Sequence, residues 1–490
     1  MNGGLDIMKK TIAYATVLAL FLLLLPPLLA PAEDAGEWKE AKLKLVVCKN
    51  EKEALKFMTA AFRKEKIFYD ESRHCWLDEE KDSKNPYYSD MDIAFPTRST
   101  KHRGVWVHRD SCKSAGIEVD TNGDDKLDTK ITKSGAVVKI RARYPDGEKA
   151  LAVLFLCDAV DHWDGTKRFH WTYSRAYYWE GKIAGKPIYF FDENVDGYIN
   201  VIGSDGVVVG KGPWGSYMST IVLVKNKLYE IEVDERGEKF RYRPYVGPKT
   251  KVDFKSKFKG PMKPRFVVLR TPFDTKRPDP RSVSILLPAG VGVVPEALYD
   301  FKWTMLSDRC IGRDHTREDQ WIDDTCLPYL MKGKEKWYFP TKPKQIRATG
   351  DKLPPIEWGA PFCIHPRPYH QTDDGGAKVD NLAFGAWDFL FFDSSGVCFF
   401  TPKEMEVDGA AIPEEMMFEI IVYDPKTGKP VTRNTRYTKG SGGGVGDASP
   451  DWVLFQVPLN GRRGVFKIEI RTKTKHFGKI DCFCDFKLEK

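Results

Sequence analysis

The chain is expected to be mainly β, with several successive β-sandwich-like domains after a short N-terminal helical segment. Three observations predict this. Short runs of alternating apolar and polar residues recur, as in Val137-Val138-Lys139-Ile140-Arg141-Ala142-Arg143, and a period of two marks a half-buried strand. Aromatic residues reach 13%, a content that suits pleated, partly buried surfaces. Forty Gly and thirty-one Pro punctuate the runs, as the turns between strands require.

At the start, Lys9 and Lys10 precede an apolar run from Ile12 to Leu25, then Pro26-Pro27 and Ala30-Pro31-Ala32. Basic residues, a short apolar run and small residues at alternating positions read as a signal peptide over residues 1–32, cut after Ala32. The run is short for a membrane span, which needs about 20 residues. No second long apolar segment follows, so no membrane span is expected after cleavage. The expected location is secreted, periplasmic or cell-surface. About 450 residues remain, enough by length for roughly three domains.

Residues 33–92 read as a helical or mixed segment. Within it, Glu51 to Phe62 places Leu55, Met58 and Phe62 on one helical face with charges opposite. From Ile93 the pattern turns to β. Gly116-Ile117-Glu118-Val119 runs into a polar loop and Lys130-Ile131-Thr132 leaves it. Pro187-Ile188-Tyr189-Phe190-Phe191 enters a second such loop, and Gly206-Val207-Val208-Val209-Gly210 follows it. Pro145-Asp146-Gly147 and Lys225-Asn226 predict tight turns between neighbouring strands.

The second loop carries the strongest chemical signal. Asp192, Asn194, Asp196 and Asn200 occupy positions 1, 3, 5 and 9 of a nine-residue stretch, with Gly197 at position 6. Ca²⁺ takes six to eight oxygens, and alternating short carboxylates and amides converge on one point. The Tyr198 carbonyl would supply a backbone oxygen, and Asp205 is the candidate for a further carboxylate. The upstream copy offers Asp120, Asn122, Asp124, the Lys126 carbonyl and Asp128, with Asp125 where a Gly is expected. Neither is an EF-hand, because Ile131 and Gly203 stand where a bidentate Glu is required.

On these residues the loops resemble the strand-flanked calcium loops of integrin-type propellers and, more loosely, the dockerin loop. The resemblance implies Ca²⁺ bound between strands. No blade-length repeat accompanies it, so no propeller is inferred. The order of elements is similar to that of exported bacterial proteins with successive β domains.

The expected units are therefore 93–258, a β domain with both calcium-type loops, and sandwich-like domains at 265–360 and 379–490. Between the first two, the basic run Lys249 to Lys263 reads as a solvated linker. The net charge of +8 is spread over the chain, and no nucleic-acid partner is expected. Asp424-Pro425-Lys426-Thr427-Gly428-Lys429 predicts a turn in the last unit.

All ten cysteines follow the cleavage point, and export permits disulfides. Cys310 and Cys326 are the best local pair. Cys482-Phe483-Cys484 is expected to point its two thiols to opposite sides of a strand, toward different partners. Spacings around Cys363, His365, His476 and Cys482 do not match a zinc module.

No Gly-x-Ser-x-Gly, His-Glu-x-x-His or Rossmann fingerprint occurs. His162-Trp163-Asp164 with His170-Trp171 suits a sugar-stacking surface or a small hydrolase site, against a plain buried aromatic cluster. His365, His370 and Asp373 could ligate a metal, although Pro366 and Pro368 imply an exposed loop. The Gly440-Ser441-Gly442-Gly443-Gly444 run lacks the Lys-Ser/Thr of a phosphate loop. The expectation is a calcium-stabilised extracellular binding or adhesion protein ahead of an enzyme, with carbohydrate or an envelope component as partner. A structural envelope protein is the alternative, and a secreted hydrolase ranks third.

Overall fold

The computed structural model describes residues 36–61, 65–66, 106–108, 116–124, 126–161, 167–261, 263–272, 282–305, 311–313, 329–332, 334–338, 345–350, 358–365, 368–374, 377–385, 390–392, 398–400, 419–434, 453–474 and 478–489. The signal peptide, Asp125, His162-Trp163-Asp164, the Cys310–Cys326 pair and the Gly440–Gly444 run lie outside them. The described chain is mainly strand with two single-turn helices, Glu51–Ala54 and Phe254–Lys257, and its strands form separate sheets in a sandwich-like arrangement.

Up to residue 244 the strands are β1 (Lys39–Ala41), β2 (Lys44–Val47), β3 (Met58–Thr59), β4 (Glu65–Lys66), β5 (Trp106–His108), β6 (Gly116–Val119), β7 (Thr129–Ile131), β8 (Ala136–Tyr144) and β9 (Gly147–Asp161). There follow β10 (Lys167–Arg175), β11 (Tyr177–Ile183), β12 (Lys186–Phe191), β13 (Gly206–Val209), β14 (Trp214–Tyr217), β15 (Ile221–Val224), β16 (Lys227–Val233) and β17 (Phe240–Pro244). Sheet orders are β2-β11-β12-β13-β14-β3, β4-β10-β9-β8, β1-β17-β16-β15 and β5-β6-β7.

Strand β11 illustrates the sorting. Tyr177, Trp179, Gly181 and Ile183 are buried while Glu180 and Lys182 are exposed, because alternate side chains share a face. Tyr177, Trp179 and Ile183 join Ile140, Phe155, Phe190, Val195, Ile199 and Phe240 in one core. Burying each large apolar side chain contributes about 1.5–3 kcal/mol. The expected turns form. Tyr144 faces Gly147 across Pro145–Asp146, and Val224 faces Lys227 across Lys225–Asn226. Lys225 and Asn226 have φ of 49° and 59°, the paired positive values of a type I′ hairpin turn.

Three expectations are corrected. The helix expected from Glu51 to Phe62 ends after one turn, at Ala54. The Ala54 and Phe57 carbonyls instead accept from Arg175, at 3.1 and 3.0 Å, and Met58 N donates to Pro213 O at 2.7 Å. The described part of 33–92 instead contributes four short strands, which pair with distant β17, β11, β14 and β10.

The basic run beginning at Lys249 is not a solvated linker. Lys249–Asp253 is a strand antiparallel to Val291–Pro295. Its lysines face outward, and Thr250 and Val252 are buried. Phe254 and Phe258 follow them into the second core. The lysines masked an ordinary alternation.

The two thiols of Cys482 and Cys484 lie on one face, both fully buried. Residues two apart in a strand point the same way, so the opposite-sides expectation inverted the pleat. Cys482 is a thiol beside the backbone of Ile364, 3.3 Å from its N. Burial pushes that thiol up to about 12. Among the described residues no disulfide is present.

Beyond residue 260 two large sheets share one core. One contains Phe266–Arg270, Ser284–Pro288, Ala297–Met305, Ile311–Arg313, Ile346–Ala348, Cys363–His365, Leu390–Phe392 and Cys398–Phe400; the other contains Tyr329–Lys332, Glu335–Tyr338, Glu419–Tyr423, Pro430–Asn434, Gly464–Thr474 and Gly478–Leu488. Strands from both sides of the expected 360–379 junction therefore pair within each sheet. Asp424 makes the expected turn, accepting from Lys426 N and Thr427 N at 2.8 Å each.

Candidate metal centre

Both acidic loops connect antiparallel neighbours. The loop 120–128 joins β6 to β7, with Val119 opposite Thr129. The loop 192–205 joins β12 to β13, with Phe191 opposite Gly206. That register sets Asp192 and Asp205, the first and last loop residues, side by side at the base of one hairpin. Both are fully buried.

Asp192 Oδ1 accepts from Asp196 N at 3.0 Å, and its Oδ2 accepts from Gly197 N at 2.6 Å and from the Tyr177 hydroxyl. Asp196 accepts from Tyr198 N and from the Asn194 amide, each at 2.8 Å. Asp205 accepts from Val201 N at 2.8 Å and Glu193 N at 3.3 Å. Gly197 has φ +87°, a left-handed value that a side chain would strain. Val195 has φ +56° although it is β-branched and fully buried, a conformation costing about 1–3 kcal/mol that the surrounding core must hold. Asn194 Oδ1 is buried and has no hydrogen-bond partner.

The electrostatics follow from this crowding. Burial, then the charge of Asp196, pushes Asp192 up to about 8. Burial and the Asp192 charge raise Asp205 well above the usual carboxylate range, and burial raises Asp196. The influences that oppose these shifts are hydrogen bonds from N–H, amide and hydroxyl donors. The Tyr177 phenol is raised by its own burial and by Asp192.

Other residues brace the loop from outside. Tyr144, at the end of β8, donates to Gly197 O at 2.6 Å, and Ile199 N donates to Glu235 O at 3.0 Å. Glu193 turns away from its neighbours to pair with buried Arg175. Thr59 Oγ1 donates to Glu193 Oε1 at 2.6 Å. A Cβ on Gly206 would lie 2.4 Å from that same Thr59 hydroxyl, so glycine there lets β3 approach.

Of the expected ligands, Asp192 and Asp205 are fully buried, Asn194, Asp196 and Tyr198 are half-buried, and Asn200 is exposed. Among the described residues, no three His, Cys, Asp or Glu side chains converge as a metal-binding group. The loop carboxylates are turned onto N–H donors, and a loop of this type also draws on an amide and a carbonyl oxygen.

The upstream loop is arranged differently. Asp120 is buried and accepts from Asn122 N and Gly123 N at 3.0 and 2.6 Å. Asn122 and Asp124 each cap the N–H two residues on, at 2.9 and 3.0 Å. Asp128 is taken by the hydroxyls of Thr121 and Thr129, at 2.8 Å each. Asp124, Lys126 and Asp128 are exposed. Adjacent residues of β8 touch both loops, since Arg143 donates to Asn122 O at 3.3 Å.

His370 bonds to Asp380 at 2.8 Å, and Asp380 also accepts from Gly461 N at 2.6 Å and from Arg463. Burial opposes ionisation of Asp380, yet these donors hold it down to about 2. The side chains of His365, Asp373, His170 and Trp171 lie outside the described residues. Sequence reasoning missed Tyr177, Arg175, Glu193, Thr59 and Tyr144. The inward alternation of β11 was the one local signal, and it could have flagged Tyr177.

No family model matches the chain, nor does any curated protein or solved structure. Among the described residues no helix is long and apolar enough to cross a membrane.

Proposed function

We propose that this is an exported, calcium-stabilised binding or adhesion protein, with Ca²⁺ held by Asp192, Asn194, Asp196, the Tyr198 carbonyl and Asp205. The observation that carries the reading is a pair of fully buried carboxylates, Asp192 and Asp205, set side by side at the hairpin base, whose ionisation is opposed by burial and by neighbouring carboxylate charge, that of half-buried Asp196 included. A divalent cation is the chemical group that would offset that repulsion. The unpartnered Asn194 oxygen fits the same group, because it is a neutral hard donor within the loop. Bound Ca²⁺ would neutralise the carboxylates and hold the β12–β13 hairpin. The residues of the chain supply shape and charge, and no reaction is assigned to them. The upstream loop is a weaker second site on this reading, because Asp128 must leave two threonine hydroxyls.

Export would place the chain where millimolar Ca²⁺ is present and where a Cys310–Cys326 disulfide can form. Calorimetric titration of metal-free protein with CaCl₂ tests the metal assignment. Saturable uptake that Asp205→Ala weakens at least tenfold is expected. Unaltered uptake in that variant would move the site elsewhere, and no uptake would end the reading. Mass spectrometry of secreted material should find an N-terminus at Glu33 and at least one bridged cysteine pair.

A further inference from the structure

A concave feature lies where the first core gives way to the second. The chain leaves β17 at Pro244, turns through residues 245–248 and enters the strand Lys249–Asp253. Tyr245 N donates to Leu228 O at 3.0 Å, which fastens this turn to β16. The angle so formed encloses a cleft of about 890 Å³, within the range of about 300–1,000 Å³ typical of small-ligand sites. Lys227, Lys249 and Lys251 line it together with Asn226, Tyr229 and Tyr245, and no carboxylate is among its lining residues.

Two carboxylates, Glu230 and Glu296, stand near enough to the cleft to raise the Tyr245 phenol, after its own burial. Glu230 pairs with Arg243 at 2.5 Å, and Glu296 accepts from Gly350 N at 2.8 Å. Burial of Thr250 and Val252 forces Lys249 and Lys251 onto the outer face of their strand, with their Cα atoms about 6.6 Å apart along it. Val293, opposite Lys251 in the pairing, gives the cleft an apolar side. Two phenol rings, an amide and three point cations around an apolar side suit a ring-shaped ligand bearing spaced carboxylates. Sugar C–H faces pack on aromatic rings, and each ammonium takes one carboxylate without the bidentate geometry of arginine.

We propose that this cleft binds an acidic oligosaccharide of the uronate class. The proposal rests on the binding reading above and supplies its ligand class, while its chemistry is independent of the metal loop.

The test is calorimetric titration of the full chain with trigalacturonate, maltotriose and a single-stranded dT oligomer, in chelator so that sugar and protein do not share calcium. Trigalacturonate should bind, at least tenfold more weakly in 0.5 M NaCl, while maltotriose shows no heat. Lys249→Ala with Lys251→Ala should weaken binding at least tenfold at an unchanged melting temperature. Tyr229→Leu should weaken it with the salt dependence retained. Absence of trigalacturonate binding, equal binding by the lysine variant, equal binding of maltotriose, or tighter binding of the dT oligomer would each overturn the proposal. Calcium uptake is measured separately, so failure of the metal assignment is read independently.

Discussion

Arg175 and Glu193 form a two-pronged ion pair with no exposed surface, Nε to Oε2 at 2.9 Å and Nη2 to Oε1 at 3.1 Å. Arg175 also donates to the carbonyls of Ala54 and Phe57 and lies 4.0 Å from the centre of the Phe191 ring. Glu193 sits between two candidate metal ligands, so the pair links the acidic loop to the segment 54–59.

Removing one partner leaves the other charge buried and uncompensated, which costs about 3–5 kcal/mol. Glu193→Gln should destabilise by that amount in denaturant melts. Arg175→Met should do at least as much, because two backbone carbonyls lose their donor as well. The double variant should lose less than the sum of the single losses. Single variants within about 1 kcal/mol of the parent would show that the pair is dispensable.

Local pattern was enough for the strands and for the turns at Lys225–Asn226, Pro145–Asp146 and Asp424, because each depends on residues adjacent in sequence. The two acidic loops were legible for the same reason, as was their setting between strands. Glu193 was not, since an acid at position 2 looks like a solvated loop residue until Arg175 is brought to it. The same long-range contact ended the expected helix at Ala54, by placing a guanidinium against carbonyls 121 and 118 residues away. Lys249–Asp253 was misread because charge density was weighed above its period of two.

The turn between β11 and β12 offers a stabilising change. Ala184 and Gly185 have φ of 46° and 75°, and Ile183 faces Lys186 across them. Asn tolerates the left-handed conformation better than Ala. Ala184→Asn should add about 0.5–1 kcal/mol and raise the melting temperature by about 1–4 °C. A lower melting temperature would mean that the methyl group of Ala184 matters more to packing than the turn does.

For the upstream loop, the threonine hydroxyls on Asp128 predict a contribution that needs no metal. Asp128→Ala should cost about 1 kcal/mol in chelator, from lost hydrogen bonds. Calorimetry of the parent should resolve a tighter site in the 192–205 loop and a weaker one here. A single class of two equal sites would contradict the ranking.

Calcium and pH should act against each other at Asp192. Its carboxyl sits near 8 in the metal-free fold, against about 3.9 when unfolded. Between those values the folded state holds a proton that the unfolded state releases, so the stability this group contributes is present in acid and lost as pH rises. Asp205 is shifted in the same direction and steepens the loss. In chelator the melting temperature should therefore fall as pH rises from about 4 to about 8. Ca²⁺ binds the ionised carboxylates, so its affinity should rise over the same interval, with protons released on binding. At ten times its dissociation constant, Ca²⁺ would add about 1.4 kcal/mol, worth about 3–6 °C. The gap between melting curves with and without calcium should then widen toward pH 8 and close near pH 4. Asp196→Asn removes the charge that, after burial, most raises Asp192, and should flatten the decline in chelator while weakening calcium binding. If the decline is equally steep with saturating calcium and with chelator, the groups that titrate are not the ones that bind the metal.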